Sequence, residues 1–449
     1  MRRFVKLLIL MLLVTSGWLF WNWDSSAPTV TWTNPPPSLG KATKVRIDLA
    51  DEGRGIEAFK IQAFQSGQSH LLLEQQADGT GFFSFGSRQR TLELSLEPLV
   101  EAGSLSEGEV ILEVEMSDRG RIGLWSRRVS DRHSFTLDLT PPRIEVMSRQ
   151  HYLRHGGSQA VLYRVSESSP ASGVLVGNRV FAGYPAPWKG NDVHVCLFAL
   201  AHDEKAKAPM FVWAEDQGGN RARTALQVEL LPRRFRKRKI NLSDGFFQAV
   251  LPDILAMVPD VEEGATPLET FLEVNDKLRR INHLQIEEIA RKSTARPLWD
   301  RTFSQLSNSK VESIFADERS YYYDGNEVDN QTHLGFDLAS MARTPIECSN
   351  DGVVAYADYL GIYGNCVIVD HGLGLLSLYA HLSSIQVEPG DRLSRGQSMG
   401  LSGQTGLAGG DHLHFSMIVQ GVHVNPLEWW DPKWIEQHVL SKIQAEPNE

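Results

Sequence analysis

A chain of 449 residues is longer than one ordinary core organises, and a prior of one domain per ~100–200 residues suggests two to four. Hydrophobic residues make up 42% and charged residues 22%, the proportions of folded protein, which leaves no large fraction for disorder. A formal net charge of -10 argues against nucleic acid as a partner, because its binders neutralise phosphates with a surplus of Lys and Arg.

At the N-terminus Arg2, Arg3 and Lys6 carry positive charge, and Leu7 to Trp23 follow without any. These 17 residues are at the short end for a bilayer-crossing helix and long for the apolar region of a cleaved signal. No small-x-small site closes the run, since Ser25-Ser26-Ala27 is followed by Pro28. Residues 1–24 are therefore predicted as an uncleaved signal-anchor transmembrane helix, with a cleaved signal peptide as the alternative. In both readings the positive flank stays in the cytoplasm. The expected location is the cytoplasmic membrane, single-pass, with the body in the periplasm or extracellular space.

From Pro28 to about 141, short runs rich in Val, Ile, Leu and Phe are broken by turn clusters such as Asn34-Pro-Pro-Pro37 and Ala77-Asp-Gly-Thr80. Val45, Ile47 and Leu49, and again Val110, Leu112, Val114 and Met116, alternate with other residues at the period of a half-buried strand. This predicts a β-sandwich over 28–141. Thr140-Pro-Pro-Arg143 breaks any strand, and a second set of strands at 160–165, 193–200 and 225–231 predicts another sandwich over 142–232. The pair resembles tandem bacterial immunoglobulin-like modules. That implies a spacer in the plainer reading and a binder of sugar or an unidentified protein partner in the other.

Arg233 to Lys239 is a block of like charge, either a surface for anionic polymers or, more plainly, a solvated linker or edge strand. Thr266-Pro-Leu-Glu269 then has the form of a capping box with proline at the first helical position, followed by apolar residues at helical spacing. Residues 233–300 are predicted as a basic linker and helical connector, 301–432 as a separate domain and 433–449 as a tail. The fold class is thus mainly β, closed by an antiparallel β-sheet domain.

Three cysteines in an exported chain cannot all pair within it, and Cys196, Cys348 and Cys366 show no metal-type spacing. Turns at Ser349–Asp351 and Tyr359–Gly364 would set Cys348 opposite about Val353 and Cys366 opposite about Ala357. That is roughly 16 Å apart at ~4.8 Å per strand and ~3.3 Å per residue, beyond the ~7 Å that a disulfide spans. No bridge between them is expected.

Five of the fourteen histidines lie between 333 and 414. On a strand, His412 and His414 share one face and can reach one cation, whereas on a helix they diverge. Fourteen histidines make a chance His-x-His pair ordinary, so this pair alone decides nothing. His333 and Asp337, four apart on an extended strand, again share a face, and Gly335 between them leaves room. A working zinc site needs three protein ligands and one open position, and His333, Asp337 and one histidine of the later pair complete such a set. His381 closes the run Leu373 to His381, where the plain reading is a strand end.

Together these pieces resemble the lysostaphin-type (LytM-like) peptidoglycan metalloendopeptidases. The resemblance rests on His333-Leu-Gly-Phe-Asp337, Gly364-Asn-Cys-Val-Ile-Val-Asp-His-Gly372, Tyr379-Ala-His-Leu382, Gly403-Gln-Thr-Gly406 and Asp411-His-Leu-His-Phe415, and covers 301 to 432. It implies one zinc per chain on His333, Asp337 and His414, with His381 and His412 as catalytic non-ligands, and peptidoglycan peptide stems as substrate. The implied reaction is hydrolysis of peptide cross-links by metal-activated water; the alternative is a non-catalytic wall-binding regulator of a separate amidase. Two departures stand beside the motifs: Asp411, which could alter the protonation of His412, and Arg343, where glycine is common. His371 is read as structural, and the Tyr321–Tyr323 run, where the family often has an extra oxyanion-binding tyrosine, is given no role. Asp358–Gly364 and Gly403–Asp411 are expected to wall a narrow groove.

Overall fold

The computed structural model describes residues 2–21, 27–53, 55–76, 87–118, 126–149, 151–166, 169–205 and 207–444. Helix α1 (Arg2–Trp21) overlaps the expected anchor. Among the described residues, however, no helix is long and apolar enough to cross a membrane, so the transmembrane helix expected over 1–24 is not found. Asn22 and Trp23 lie outside the described residues, as does the turn cluster at 77–80.

The chain forms two compact units. One holds the residues up to Pro142 and short returns that include Glu215–Ala222; the other holds most of the chain from Arg143 onward. In the first, a three-stranded sheet (Thr29–Thr33, Lys44–Ala50, Gln89–Ser95) and a five-stranded sheet share one apolar core. Val45, Ile47 and Leu49 from one sheet and Val110, Leu112, Val114 and Met116 from the other are all buried in it, as their alternation requires.

In the second unit, the stretch expected as a second sandwich at 142–232 shares its core with the C-terminal region. Its two four-stranded sheets bury Val195, Phe198 and Val212 in the same apolar cluster as Phe336, Tyr379 and Trp429 of the C-terminal region. All eight residues of Val193–Leu200 are buried, the pattern of a strand covered on both faces. Residues 433–444, in the stretch expected as a tail, pack onto this unit. Lys442 Nζ donates to Gln159 Oε1 and the Ala160 carbonyl, both at 3.0 Å, and Trp188 Nε1 donates to the Ile443 carbonyl at 2.6 Å.

The basic block is an edge strand. Lys237–Asn241 pairs parallel to Asp317–Tyr323, and the Arg236 guanidinium forks onto the fully buried Asp317 carboxylate. The connector that follows has helices α2 (Asp244–Met257), α3 (Pro267–Glu273) and α4 (Arg279–Arg291), with a π-helical turn, Val274–Leu278, joining the last two. The capping box at α3 is complete: Glu269 N–H donates to Thr266 Oγ1 and Thr266 N–H to the Glu269 carboxylate.

The C-terminal strands are β1 (Lys310–Ser313), β2 (Asp317–Tyr323), β3 (Asn326–His333), β4 (Phe336–Ala339), β5 (Gly352–Tyr359), β6 (Asn365–Asp370), β7 (Leu375–Leu382), β8 (Arg392–Leu393), β9 (Leu413–Val419) and β10 (Val422–Val424). Among the described residues β1-β4-β9-β7-β6-β5-β8 form one sheet with β10 on β9, while β2 and β3 join Lys237–Asn241 in another. The central strand β9 thus lies between β4 and β7, which puts Asp337 and Ala380 on either side of His414.

Cys366 pairs opposite Asp358, one residue from its expected position. Cys348 does not follow the expected register, because Pro345–Glu347 pairs with Ser398–Leu401 in a separate three-stranded sheet. All three cysteines are buried and free, and burial pushes the Cys348 thiol up to about 11. The native protein should therefore resist an alkylating agent. Unfolded without reductant it should take up three equivalents, and a linked peptide pair in a non-reducing digest would overturn this placement.

Candidate metal centre

His333, Asp337 and His414 converge. His333 Nε2 lies 2.9 Å from Asp337 Oδ1 and 3.0 Å from His414 Nδ1, which is itself 3.0 Å from the same carboxylate oxygen. The convergence does not come from one extended strand, as the sequence suggested. The chain breaks at Leu334-Gly335 between β3 and β4, so His333 ends one sheet while Asp337 lies in the other. Gly335 permits the break: a Cβ there would stand 2.6 Å from His414 Nε2 and from the Phe415 carbonyl.

The outer nitrogens decide which ring atoms face inward. His333 Nδ1 has the Ile314 carbonyl at 3.1 Å, and a carbonyl only accepts, so that nitrogen carries the hydrogen and Nε2 presents a lone pair. His414 Nε2 lies 3.0 Å from Ser416 Oγ, whose own hydrogen goes to the Leu334 carbonyl; Nε2 therefore donates and Nδ1 faces inward bare. Burial lowers both imidazoles, His414 to about 4, so they stay neutral. Burial alone would raise Asp337, but His333, His412 and His414 outweigh it and hold the carboxyl well below its usual range. Two lone pairs and a carboxylate oxygen within 3.0 Å of one another repel unless a cation lies among them. Neutral imidazoles with an ionised carboxylate are the protonation state metal binding demands, and the set fits zinc. These three residues are the one His/Cys/Asp/Glu group among the described residues gathered closely enough to hold an ion.

His381 and His412 stand beside this set with ring centroids 4.8 Å apart, and the His381 centroid is 5.8 Å from that of His414. Each is oriented through Nδ1, which donates to the Thr405 carbonyl in His381 and to the Gly410 carbonyl in His412, both at 2.8 Å. Each Nε2 is left for the site; that of His412 is 3.5 Å from Asp337 Oδ1. Burial, together with His412 and His414, holds His381 well below its ordinary value. Burial also works against charge on His412, but Asp337 overcomes it and raises that group. His381 has φ 63, a left-handed conformation costly for a non-glycine residue and concentrated at functional sites.

His371 lies apart, held by the Asp351 carbonyl and Ser377 Oγ at 2.7 Å each. Asp411 turns away from His412: its carboxylate accepts from Arg343 N–H and Ser402 Oγ, tying two loops. Arg343 adopts φ 59, which explains why glycine suits that position.

The five residues line a cavity of about 420 Å³. Ile362, Tyr363 and Leu407 to Asp411 wall it as expected, but so do Ile240, Phe246, Phe271 and Arg279 from the connector, which sequence reasoning did not place there. It also missed Arg319, whose Nη2 donates to Asp337 Oδ2 at 2.8 Å and occupies the outer oxygen of that carboxylate. The signal was indirect: Arg319 reaches the site because Asp317 on β2 is registered against His333 on β3.

A sheet-borne His/Asp/His set with two oriented imidazoles beside it is the donor arrangement of a hydrolytic metal centre. Peptidase family M23 matches residues 331–426, and the chain carries a domain of that family on its C-terminal side. The peptidoglycan DD-endopeptidase ShyA of Vibrio cholerae serotype O1 is 44% identical over 96 residues, 21% of this chain and 22% of that protein. The murein hydrolase activator EnvC of Escherichia coli is 37% identical over 95 residues, 21% of this chain and 23% of its own. The chain thus spans about a fifth of the length of the curated relatives it matches. The catalytic domain of lysostaphin from Staphylococcus simulans is 26% identical, covering 27% of this chain and 92% of that one with a TM-score of 0.24.

Proposed function

We propose that this protein is a zinc-dependent endopeptidase that hydrolyses peptide cross-links of peptidoglycan. The observation that carries this reading is the convergence of His333 Nε2, Asp337 Oδ1 and His414 Nδ1 on one point with two oriented, non-ligand imidazoles beside it. Those three atoms would hold the metal. Zinc, when bound, supplies a Lewis acid that polarises a carbonyl and acidifies a water at neutral pH. The chain's own work is proton handling: His381 and His412, through Nε2, take the proton of the attacking water, stabilise the developing oxyanion and return a proton to the leaving amine nitrogen. Arg319 holds Asp337 by its outer oxygen, leaving Oδ1 toward the metal.

The likeness to EnvC supports a second reading, a non-catalytic activator of another wall hydrolase. All five polar positions are present here, which favours the enzyme. Digestion of purified sacculi by the zinc-loaded chain, with the released peptides identified by mass spectrometry, separates the two. Cross-linked dimers should fall to monomers. No release, together with stimulation of an added amidase, would make the protein an activator.

Peptidoglycan lies outside the cytoplasmic membrane, so the proposal includes export, with α1 as the segment that holds the body at the membrane. Leu8 to Val14 support this, being seven consecutive apolar residues each more than half exposed. The β-rich stretches before residue 233 are proposed to be immunoglobulin-like, with the one over 28–141 acting as a spacer.

A further inference from the structure

The connector contributes a charge to the cavity that hydrolysis as proposed does not use. Three arginines line the wall: Arg238, Arg279 and Arg319. Arg319 is paired with Asp337 at 2.8 Å, and Arg238 lies 4.0 Å from Asp317. Arg279 has no carboxylate partner among the described residues. Its hydrogen bonds go to Asn275, with Nε donating to the backbone carbonyl at 3.0 Å and Nη2 to Oδ1 at 2.6 Å. Asn275 is fully buried and in turn donates to Asp329 at 2.6 Å, so the guanidinium is held in place by a chain of fixed groups. Asn275 lies in the π-helical turn Val274–Leu278, and Arg279 directly follows it. Such turns inside helices are frequent at functional sites.

The position of Arg279 is as informative as its charge. Like the Asp337-paired Arg319, it borders both the metal-site cavity and a second cavity of about 480 Å³, which Lys237, Glu318, Gln331 and Thr332 also line. Tyr363, whose ring centroid is 5.6 Å from that of His414, also feels the Arg279 charge. An extended peptide with its scissile amide at the metal site and its chain continuing into the second cavity passes this guanidinium. An arginine without a carboxylate partner among the described residues, half-buried and pre-oriented by Asn275 through Nε and Nη2, leaves Nη1 and the second Nη2 hydrogen to meet a carboxylate. Arg279 lies outside the M23 match at 331–426, so this feature belongs to the chain's own connector.

We infer that Arg279 is a specificity-determining residue that binds a free carboxylate of the substrate peptide near the scissile amide, making the preferred substrate an anionic, non-amidated stem peptide. The inference rests on the peptidase reading. A hydrogen bond to a charged group contributes about 1.5–3 kcal/mol, a factor of roughly ten to a hundred.

The test uses the full-length, zinc-loaded protein and two synthetic cross-linked stem-peptide dimers that differ only in having free or amidated carboxylates. The wild type should favour the free acid roughly ten- to hundred-fold in kcat/KM. Arg279→Met should collapse that preference, with the loss in KM for the acid rather than in kcat, and Arg279→Lys, which keeps the charge but not the fork, should recover part of it. Equal cleavage of both dimers by the wild type, or an equal loss on both in Arg279→Met, overturns the inference and leaves the peptidase intact. Equilibrium binding of the two dimers to His381→Ala distinguishes the converse: preference for the acid there, without cleavage by the wild type, keeps the carboxylate site and overturns the peptidase reading. Absence of both preference and cleavage overturns both.

Discussion

His333→Ala, Asp337→Ala and His414→Ala should each abolish stoichiometric zinc binding and, with it, the proposed hydrolysis of sacculi. Loss of a residue that merely orients a ligand costs roughly 10–100-fold in metal affinity, and loss of a ligand costs more. His333 Nε2 and His414 Nδ1 face inward because their opposite nitrogens are spoken for. The histidine variants are the cleaner tests. Asp337→Ala also strands Arg319, whose side chain is only 20% exposed, and breaking a pair buried to that degree costs about 3–5 kcal/mol. Metal content after dialysis, read beside circular dichroism, separates an emptied site from an unfolded domain. A folded His414→Ala protein that keeps one zinc per chain would show that the ligands have been misassigned.

The contrast between His333 and Arg319 shows which parts of this site can be read locally. Period-two spacing is a local property, so the alternation of Val45, Ile47 and Leu49 was visible before any tertiary contact was known, whereas of His412 and His414, expected on one strand, only His414 lies in β9 and His412 forms an isolated bridge to Gly403. The Thr266–Glu269 capping box was visible for the same reason. The site's second tier depends instead on register between strands distant from its motifs. Arg319 is fourteen residues upstream of His333 and meets Asp337 only through the β2–β3 pairing. Phe271 was read only as one of the apolar residues at helical spacing after the capping box, which is true of any packed helix; that it and Phe246 wall the metal-site cavity follows from the edge strand Lys237–Asn241 docking on β2. The same limit applies to 142–232, whose strands were legible. A strand was expected at 193–200, but that both its faces are covered and that the C-terminal region shares its core depend on contacts distant in sequence.

His381→Ala and His412→Ala should keep zinc and lose turnover. Both rings are anchored through Nδ1 to backbone carbonyls, so neither needs a metal to hold its orientation, and each directs Nε2 to the side of the three-atom set that faces the cavity. Positioned proton transfer contributes ~10²–10⁴-fold, which sets the expected loss in kcat for each variant. The two losses should not simply add, because rings 4.8 Å apart serve one reaction and removing either disables the other's proton path. The left-handed backbone at His381 makes the test sharper. A strained non-glycine conformation costs of order 1–3 kcal/mol and persists where function requires it. His381→Gly should therefore be more stable than His381→Ala while equally inactive, with zinc at one per chain in both. If His381→Ala is folded but empty of zinc, His381 is a ligand and the division between metal holders and proton handlers is wrong.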